Sequence, residues 1–148
     1  MKIHMQTYQS NPDKPSAYIF DVDGTLALIK NRGPFDWKKV GQDVLNVPVY
    51  RILDMVRQAG HKIIIFSGRD GICMKETKDW LALHNITWDH FIMRPVGNSE
   101  KDSSIKLRMF NEIKDDYNIL GVFDDRDQVV HMWRSLGLTC FQVAEGNF

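Results

Sequence analysis

The chain has no apolar run near the roughly 20 residues that a membrane-spanning helix needs. Its first residues, MKIHMQTYQSNPDKP, lack the apolar stretch of a secretory signal. There are only two cysteines, Cys73 and Cys140, far apart and in no metal-ligand spacing. Buried free thiols in a reducing compartment are their expected state. No Gly-x-x-x-x-Gly-Lys-Ser/Thr segment occurs, so a kinase-type phosphate loop is absent. Neither sign of charge prevails: 19 lysines and arginines balance 19 aspartates and glutamates. That balance argues against a broad basic surface that coats nucleic acid, and leaves room for a small positive site that grips a strand end.

At 148 residues the chain has room for one domain with a real core. Residues 1–15 are polar, with Pro12 and Pro15 bracketing an expected flexible lead-in, and residues 16–148 form the domain. From there the pattern alternates. Ala17–Phe20 reads as a buried strand, and Ile52, Leu53 and Val56 follow Val49 at helical spacing, closed by Gly60. Lys62–Phe66 (KIIIF) is the strongest strand. A helix over Met74–His84, a strand over His90–Met93 and a helix over Ser103–Asp116 come next. Leu120–Phe123 is a strand, Val129, Trp133 and Leu136 mark a helix closed by Gly137, and Thr139–Val143 is a last strand. The expected fold is therefore α/β: a three-layer, Rossmann-like, mostly parallel sheet with helices on both faces.

In such sheets ligands bind beyond the carboxyl ends of the strands. Those ends carry Asp21-Val22-Asp23-Gly24-Thr25, Ser67-Gly68-Arg69 and Asp124-Asp125. A lone Asp-x-Asp most often marks a solvated turn, and an acidic pair before a helix is an ordinary cap. Four carboxylates gathered on one rim repel one another, however, and a divalent cation relieves that repulsion. Oxygen ligands of this kind suit Mg2+. Ser67, Gly68 and Arg69 form a natural cradle for a phosphate. Lys101, at the start of the next helix, is the candidate cation for the acidic rim, with Lys106 as its rival one turn on. Arg32 lies in a segment where Lys30, Lys38 and Lys39 are interleaved with Phe35 and Trp37. Charges for a backbone and rings for bases suit a strand-end binder; a packing role for both rings is the other reading.

The order of these segments resembles that of haloacid dehalogenase-type (HAD-like) phosphotransferases. IFDVDGTLA, NRGPFD, SGR, DDRDQVVHMWRSLG and CFQVAEGNF are similar, more narrowly, to the phosphatase half of T-even phage-type polynucleotide kinase/3′-phosphatases. The resemblance covers Lys14 to Phe148. It implies that Asp21 is a nucleophile forming an aspartyl-phosphate and that Asp23 is the general acid and base. It implies Mg2+ held by Asp21, by Asp23 through its backbone carbonyl, and by Asp124 or Asp125. Thr25, Ser67 and Lys101 would hold phosphoryl oxygens, and Arg32 and Arg69 would serve the substrate side.

The implied activity is removal of 3′-terminal phosphates from DNA or RNA. The partners are strand ends, with a kinase or ligase domain or protein in the same pathway, and no membrane. The missing kinase loop leaves NPDKP looking like a linker, and the segment after SGR is shorter than the family pattern. The expected address is the cytoplasm, that of a host cell if the chain is phage-encoded; the oligomeric state is open, a homo-oligomer included. Asp21–Val49 and Ser67–Lys101 are too short for a large lid, so little or no cap is expected. An open site suits a polymer end. The rivals are a small-molecule phosphatase or nucleotidase with the same nucleophile, and a catalytically silent module that binds strand ends.

Overall fold

The computed structural model describes residues 7–148. Its five-stranded sheet runs β5-β4-β1-β6-β7 and every pairing is parallel. The strands are β1 (Ser16–Asp21), β4 (Lys62–Asp70), β5 (His90–Arg94), β6 (Asn118–Asp124) and β7 (Cys140–Gln142). A separate antiparallel hairpin joins β2 (Ala27–Leu28) to β3 (Val44–Leu45). The helices are α1 (Val47–Gln58), α2 (Met74–Leu83), α3 (Asp102–Ile113) and α4 (Asp127–Ser135). None is long and apolar enough to cross a membrane.

Side chains alternate across a strand, and here both faces are covered, which is why β1 and β4 read as unbroken apolar runs. Ala17, Ile19, Ile64, Phe66 and Val122 pack with Ile105, Met109 and Phe110 of α3 and Val130 and Trp133 of α4. Phe20, Ile63, Ile65 and Phe123 point the other way, against Val49 and Leu53 of α1 and Trp80 and Leu81 of α2. The central β1 is hydrogen-bonded on both sides, so Asp21 at its end emerges between the ends of β4 and β6.

One expectation is corrected. The strand expected over Lys62–Phe66 does not stop at Phe66 but continues through Ser67, Gly68 and Arg69 to Asp70, with a register shift against β5 between Ser67 and Asp70. The stretch between Asp21 and α1, where the sequence pattern marks no element, holds the β2–β3 hairpin and a 3-10 turn, Trp37–Gln42, pinned by buried Val40. Two-residue strands are too short for any periodicity to betray. No larger insertion stands over the carboxyl edge of the sheet among the described residues.

The lead-in is fastened where it is described; residues 1–6 lie outside the described residues. The Tyr8 amide donates to Leu136 O (2.8 Å), and Asn118 Oδ1 accepts from the Asn11 amide (3.0 Å). The Asn118 amide donates to Pro15 O at 2.8 Å beside β1, so the next amide, that of Ile119, faces the other edge of β6, where it donates to Tyr8 Oη at 2.8 Å. A buried amide without an acceptor costs its desolvation. Tyr8→Phe is therefore expected to lower unfolding stability by about 1–2 kcal/mol, read as an earlier urea midpoint with an unchanged slope.

Candidate active site

Helix α3 delivers the one cation at the centre of the acidic rim. Ile105, Lys106, Met109, Phe110 and Ile113 are its buried face, so Lys106 takes a core position on an otherwise apolar stripe. Its ammonium lies 2.7 Å from Asp21 Oδ1, 3.0 Å from Asp124 Oδ2 and 3.7 Å from Asp102 Oδ2. Burial works against the Lys106 charge, yet Asp124 and Asp21 outweigh it and hold the group well above the ordinary lysine pKa. Lys101, by contrast, is exposed at the N-cap of α3 and forms no ion pair among the described residues.

Asp21, Asp124 and Asp125 each present a carboxylate oxygen within 4.8 Å of the others. All three residues are buried. Burial first, and then the charge of Asp124, push Asp21 well above the usual carboxylate range, although Lys106 pulls the other way. Burial likewise raises Asp125, partly offset by its hydrogen bond with Asp21. The three acids thus lie together at a cost that one lysine does not relieve, and a hard divalent cation fits the donor set. Gly24 makes the approach sterically feasible. Its φ is +78°, and a Cβ there would fall 2.0 Å from Asp125 Oδ2.

The two carboxylates of Asp124 and Asp125 differ in what surrounds them. Asp124 Oδ1 accepts from the amides of Asp125 (2.9 Å) and Arg126 (3.4 Å), and Oδ2 from Lys106 (3.0 Å) and Trp133 Nε1 (3.3 Å). No cationic or amide side chain donates to the Asp125 carboxylate among the described residues. Asp21 is held at both oxygens, Oδ1 by Lys106 and Oδ2 by the Thr25 hydroxyl at 3.0 Å.

Asp23 stands apart from this cluster. Its Oδ1 accepts from Arg69 Nε (3.0 Å) and Nη2 (2.7 Å) and from Arg32 Nη2 (3.3 Å). Asp43 closes the network: it takes Arg32 Nε (2.8 Å) and Nη2 (2.9 Å) and Arg69 Nη2 (2.7 Å). Arg69 Nη1 donates to Thr77 Oγ1 at 3.0 Å, so the buried Arg69 guanidinium is bound on every side by protein. No side chain donates to the other oxygen of Asp23 among the described residues, and its side chain remains 35% exposed. The Asp-x-Asp pair is therefore split: the first carboxylate faces the lysine and the acids, the second faces two arginines and the opening.

Ser67 is buried beside them and its Oγ accepts from the Arg69 amide at 3.2 Å. Gly68 is required for closeness, since a Cβ would fall 2.1 Å from Asp102 Oδ1. Asp102 also bonds Arg94 Nη2 at 3.3 Å, and Arg94 Nε donates to Gly68 O at 2.7 Å. The rim thus gathers Asp21, Asp23, Thr25, Arg32, Ser67, Gly68, Arg69, Asp124 and Asp125, and leaves Lys101 outside. Asp43, Asp102, Arg94 and Trp133 belong to it without having been singled out. Each is an isolated residue in a segment with no motif; only Trp133, inside QVVHMWR, lay in a stretch whose particularity was visible. The thiols take no part: both are buried and unpaired, and burial pushes Cys140 up to about 12.

Comparison with known proteins agrees with this geometry. The family described as "Polynucleotide kinase PNKP phosphatase domain", of the HAD type, matches residues 15–148. A protein of Autographa californica nuclear polyhedrosis virus, named as a bifunctional polynucleotide kinase/RNA ligase, is 38% identical over 134 residues. That alignment covers 87% of this chain and 19% of the viral protein. A chain in a structure of the Pnkp1/Rnl/Hen1 complex superposes with a TM-score of 0.92 at 40% identity, covering 100% of this chain and 53% of that one. A second structure, of the Pnkp1/Rnl/Hen1 RNA repair complex, gives 0.92 at 41% identity, covering 99% and 48%. This chain spans about half the length of the matched structures and about a fifth of the viral protein. With the parallel sheet, the acid cluster at its edge and a match over nearly all of its residues, the chain belongs to the HAD-type phosphatase-domain family of polynucleotide kinases.

Proposed function

We propose that this domain is a polynucleotide 3′-phosphatase that works through Asp21 and Mg2+. The observation that carries the reading is the split Asp-x-Asp pair: Asp21 is oriented at both oxygens inside a cation-demanding acid cluster, and Asp23 faces an opening between arginines. Asp21 and Asp125 are the carboxylates left for a metal ion, joined by the Asp23 carbonyl, while Asp124 is occupied by four donors. When bound, Mg2+ would neutralise charge on the transferring phosphoryl group.

In the first step an Asp21 oxygen attacks phosphorus, and the bond from phosphorus to the 3′ oxygen breaks. Asp23 gives its proton to that oxygen, so the strand leaves as a 3′-alcohol. In the second step Asp23 takes a proton from water, whose oxygen displaces Asp21 and releases inorganic phosphate. Lys106 and Thr25 hold Asp21 in line, and Lys106 balances charge that would otherwise raise the barrier. Ser67 lines the phosphoryl pocket, with the Gly68 backbone beside it. Arg69 and Asp43 fix Asp23, and Arg32 holds it from the substrate side. A site without a large cover supports a polymer end as the substrate. The ligase and RNA repair named in the relatives support ends that are being made ready for joining, with kinase or ligase activity alongside.

Three outcomes are expected. Wild-type protein should turn over a 3′-phosphorylated oligonucleotide, RNA or DNA, with higher kcat/KM than a nucleoside 3′-monophosphate; preference for the free nucleotide would favour a nucleotidase. Asp21→Asn should abolish Mg2+-dependent phosphate release from both while the far-ultraviolet circular dichroism stays unchanged. Lys106→Ala should cost at least about 100-fold in kcat, on the scale of a lost electrostatic contact in a buried site, whereas Lys101→Ala should stay within about threefold of wild type, under about 1 kcal/mol.

Stability offers a readout apart from turnover. The folded-state pKa of Asp21 is raised, so its contribution to stability is full below the unfolded value near ~4 and is lost as pH rises through the folded value. Metal-free Asp21→Asn should therefore melt above metal-free wild type at pH 7, and the gap should close below about pH 4. Mg2+ at about 100 times its Kd should stabilise wild type by about 2.7 kcal/mol, and the asparagine variant by much less.

A further inference from the structure

We infer that Gln142 and Gly146, on the segment leaving β7, are positioning residues that set how tightly the acid cluster holds Mg2+, because they fix the main chain of Asp125. This rests on the Mg2+-dependent phosphatase reading, in which Asp125 is a carboxylate left for the metal. The Asp124 side chain is steered by four donors. The Asp125 carboxylate receives none from a cationic or amide side chain among the described residues, and its partner Asp21 is itself an acid. Its direction is therefore inherited from the backbone that carries it.

Consecutive residues of the acidic loop, from Asp124 to Asp127, are each tied to residues 142–148. Asp124 O accepts from the Val143 amide (3.0 Å), and Asp125 O accepts from Gln142 Nε2 (3.0 Å). Arg126 Nε donates to Phe148 O (2.9 Å), and the Asp127 amide donates to Gly146 O (2.9 Å). The Arg126 guanidinium also lies over the Phe148 ring, 5.2 Å from its centroid. Gln142 Nε2 donates in addition to Asp127 Oδ1 at 2.6 Å. One amide group thus bridges the candidate metal ligand and the first residue of α4.

Register explains the reach. Asp124 and Gln142 are paired neighbours across β6 and β7, so the longer Gln142 side chain extends to the carbonyl of the next residue, Asp125. Gly146 supplies the closeness. It is buried, and a Cβ there would fall 1.8 Å from Asp125 O and 2.7 Å from Arg126 Cα. Without a side chain, one main chain can rest directly on the other. Residues 142–148 enter none of the chemical steps and act on the metal only through Asp125. Groups that orient a ligand from outside its coordination shell govern metal affinity by about 10- to 100-fold.

The test reads the stabilisation that Mg2+ adds, from urea midpoints of the whole chain, metal-free and across a Mg2+ titration. Gln142→Met removes the amide at similar size, and because Gln142 is exposed the core stays intact. Gly146→Ala pushes directly on the Asp125 carbonyl and is the second, independent variant. Each is expected to need about 10- to 100-fold more Mg2+ than wild type for the same shift. Tyr8→Phe is the control: it acts at the far end of β6, lowers the metal-free midpoint and should keep the wild-type Mg2+ dependence. A folded Gln142→Met or Gly146→Ala protein that keeps that dependence, whatever its metal-free stability, overturns the inference and leaves the phosphatase reading intact. An equal loss in Tyr8→Phe does the same. Wild-type protein whose midpoint ignores Mg2+ overturns the inference together with the Mg2+ reading of the acid cluster.

Discussion

The buried ammonium of Lys106 is the contact on which the rest of this site depends. It lies within 3.0 Å of two aspartates that end neighbouring strands and near a third on its own helix. Without it Asp21, Asp124 and Asp125 would share one enclosed rim with no ion pair to a lysine or arginine among the described residues, at several kcal/mol of uncompensated burial. With it they are still short of neutrality, as the raised Asp21 and Asp125 show. A site that is stable enough to fold and still short of positive charge is predisposed to take up a cation.

The sheet supplies the precision that this balance needs. Asp21 and Asp124 end β1 and β6, strands locked in parallel register beside each other, so their carboxylates meet without relying on a mobile loop. Helix α3 packs five residues into the same core as those strands and carries Lys106 among them. Moving the ammonium would require disrupting Ile105, Met109 and Phe110. Trp133 of α4 completes the arrangement from the same layer, its indole N–H on Asp124. The geometry of the acid cluster and the hydrophobic core are therefore one structure.

A second balance sits across the rim. Arg32, Arg69 and Asp43 form a closed set of charge-assisted hydrogen bonds around one oxygen of Asp23. Bidentate guanidinium contacts fix direction as well as charge. The result is that two aspartates separated by a single residue live in unlike surroundings, one ringed by acids and lysine, the other by arginines and partly exposed. Different environments are how a pair of chemically identical side chains takes on two duties.

The amino-acid sequence by itself determined the α/β class, the strand ends that make the rim and most of its residues, because strand ends in such folds are where ligands bind and the motifs sit there intact. Asp21, Asp23, Thr25, Ser67, Arg69, Asp124 and Asp125 were legible for that reason. Lys106 was not separable from Lys101, since both lie near the start of α3 and only the rotation of the packed helix brings one of them inward. Asp43, Asp102 and Arg94 had no local signature at all. Their role comes from contacts made in the folded chain, as with Arg69 to Asp43 across 26 residues, or from a helix turn packed on a glycine. Tertiary structure decided those, and it also left Phe35 exposed while Trp37 packs against Val40, Cys73 and Met93, because burial is a property of the folded surface and two neighbouring aromatic letters carry no record of which one it covers.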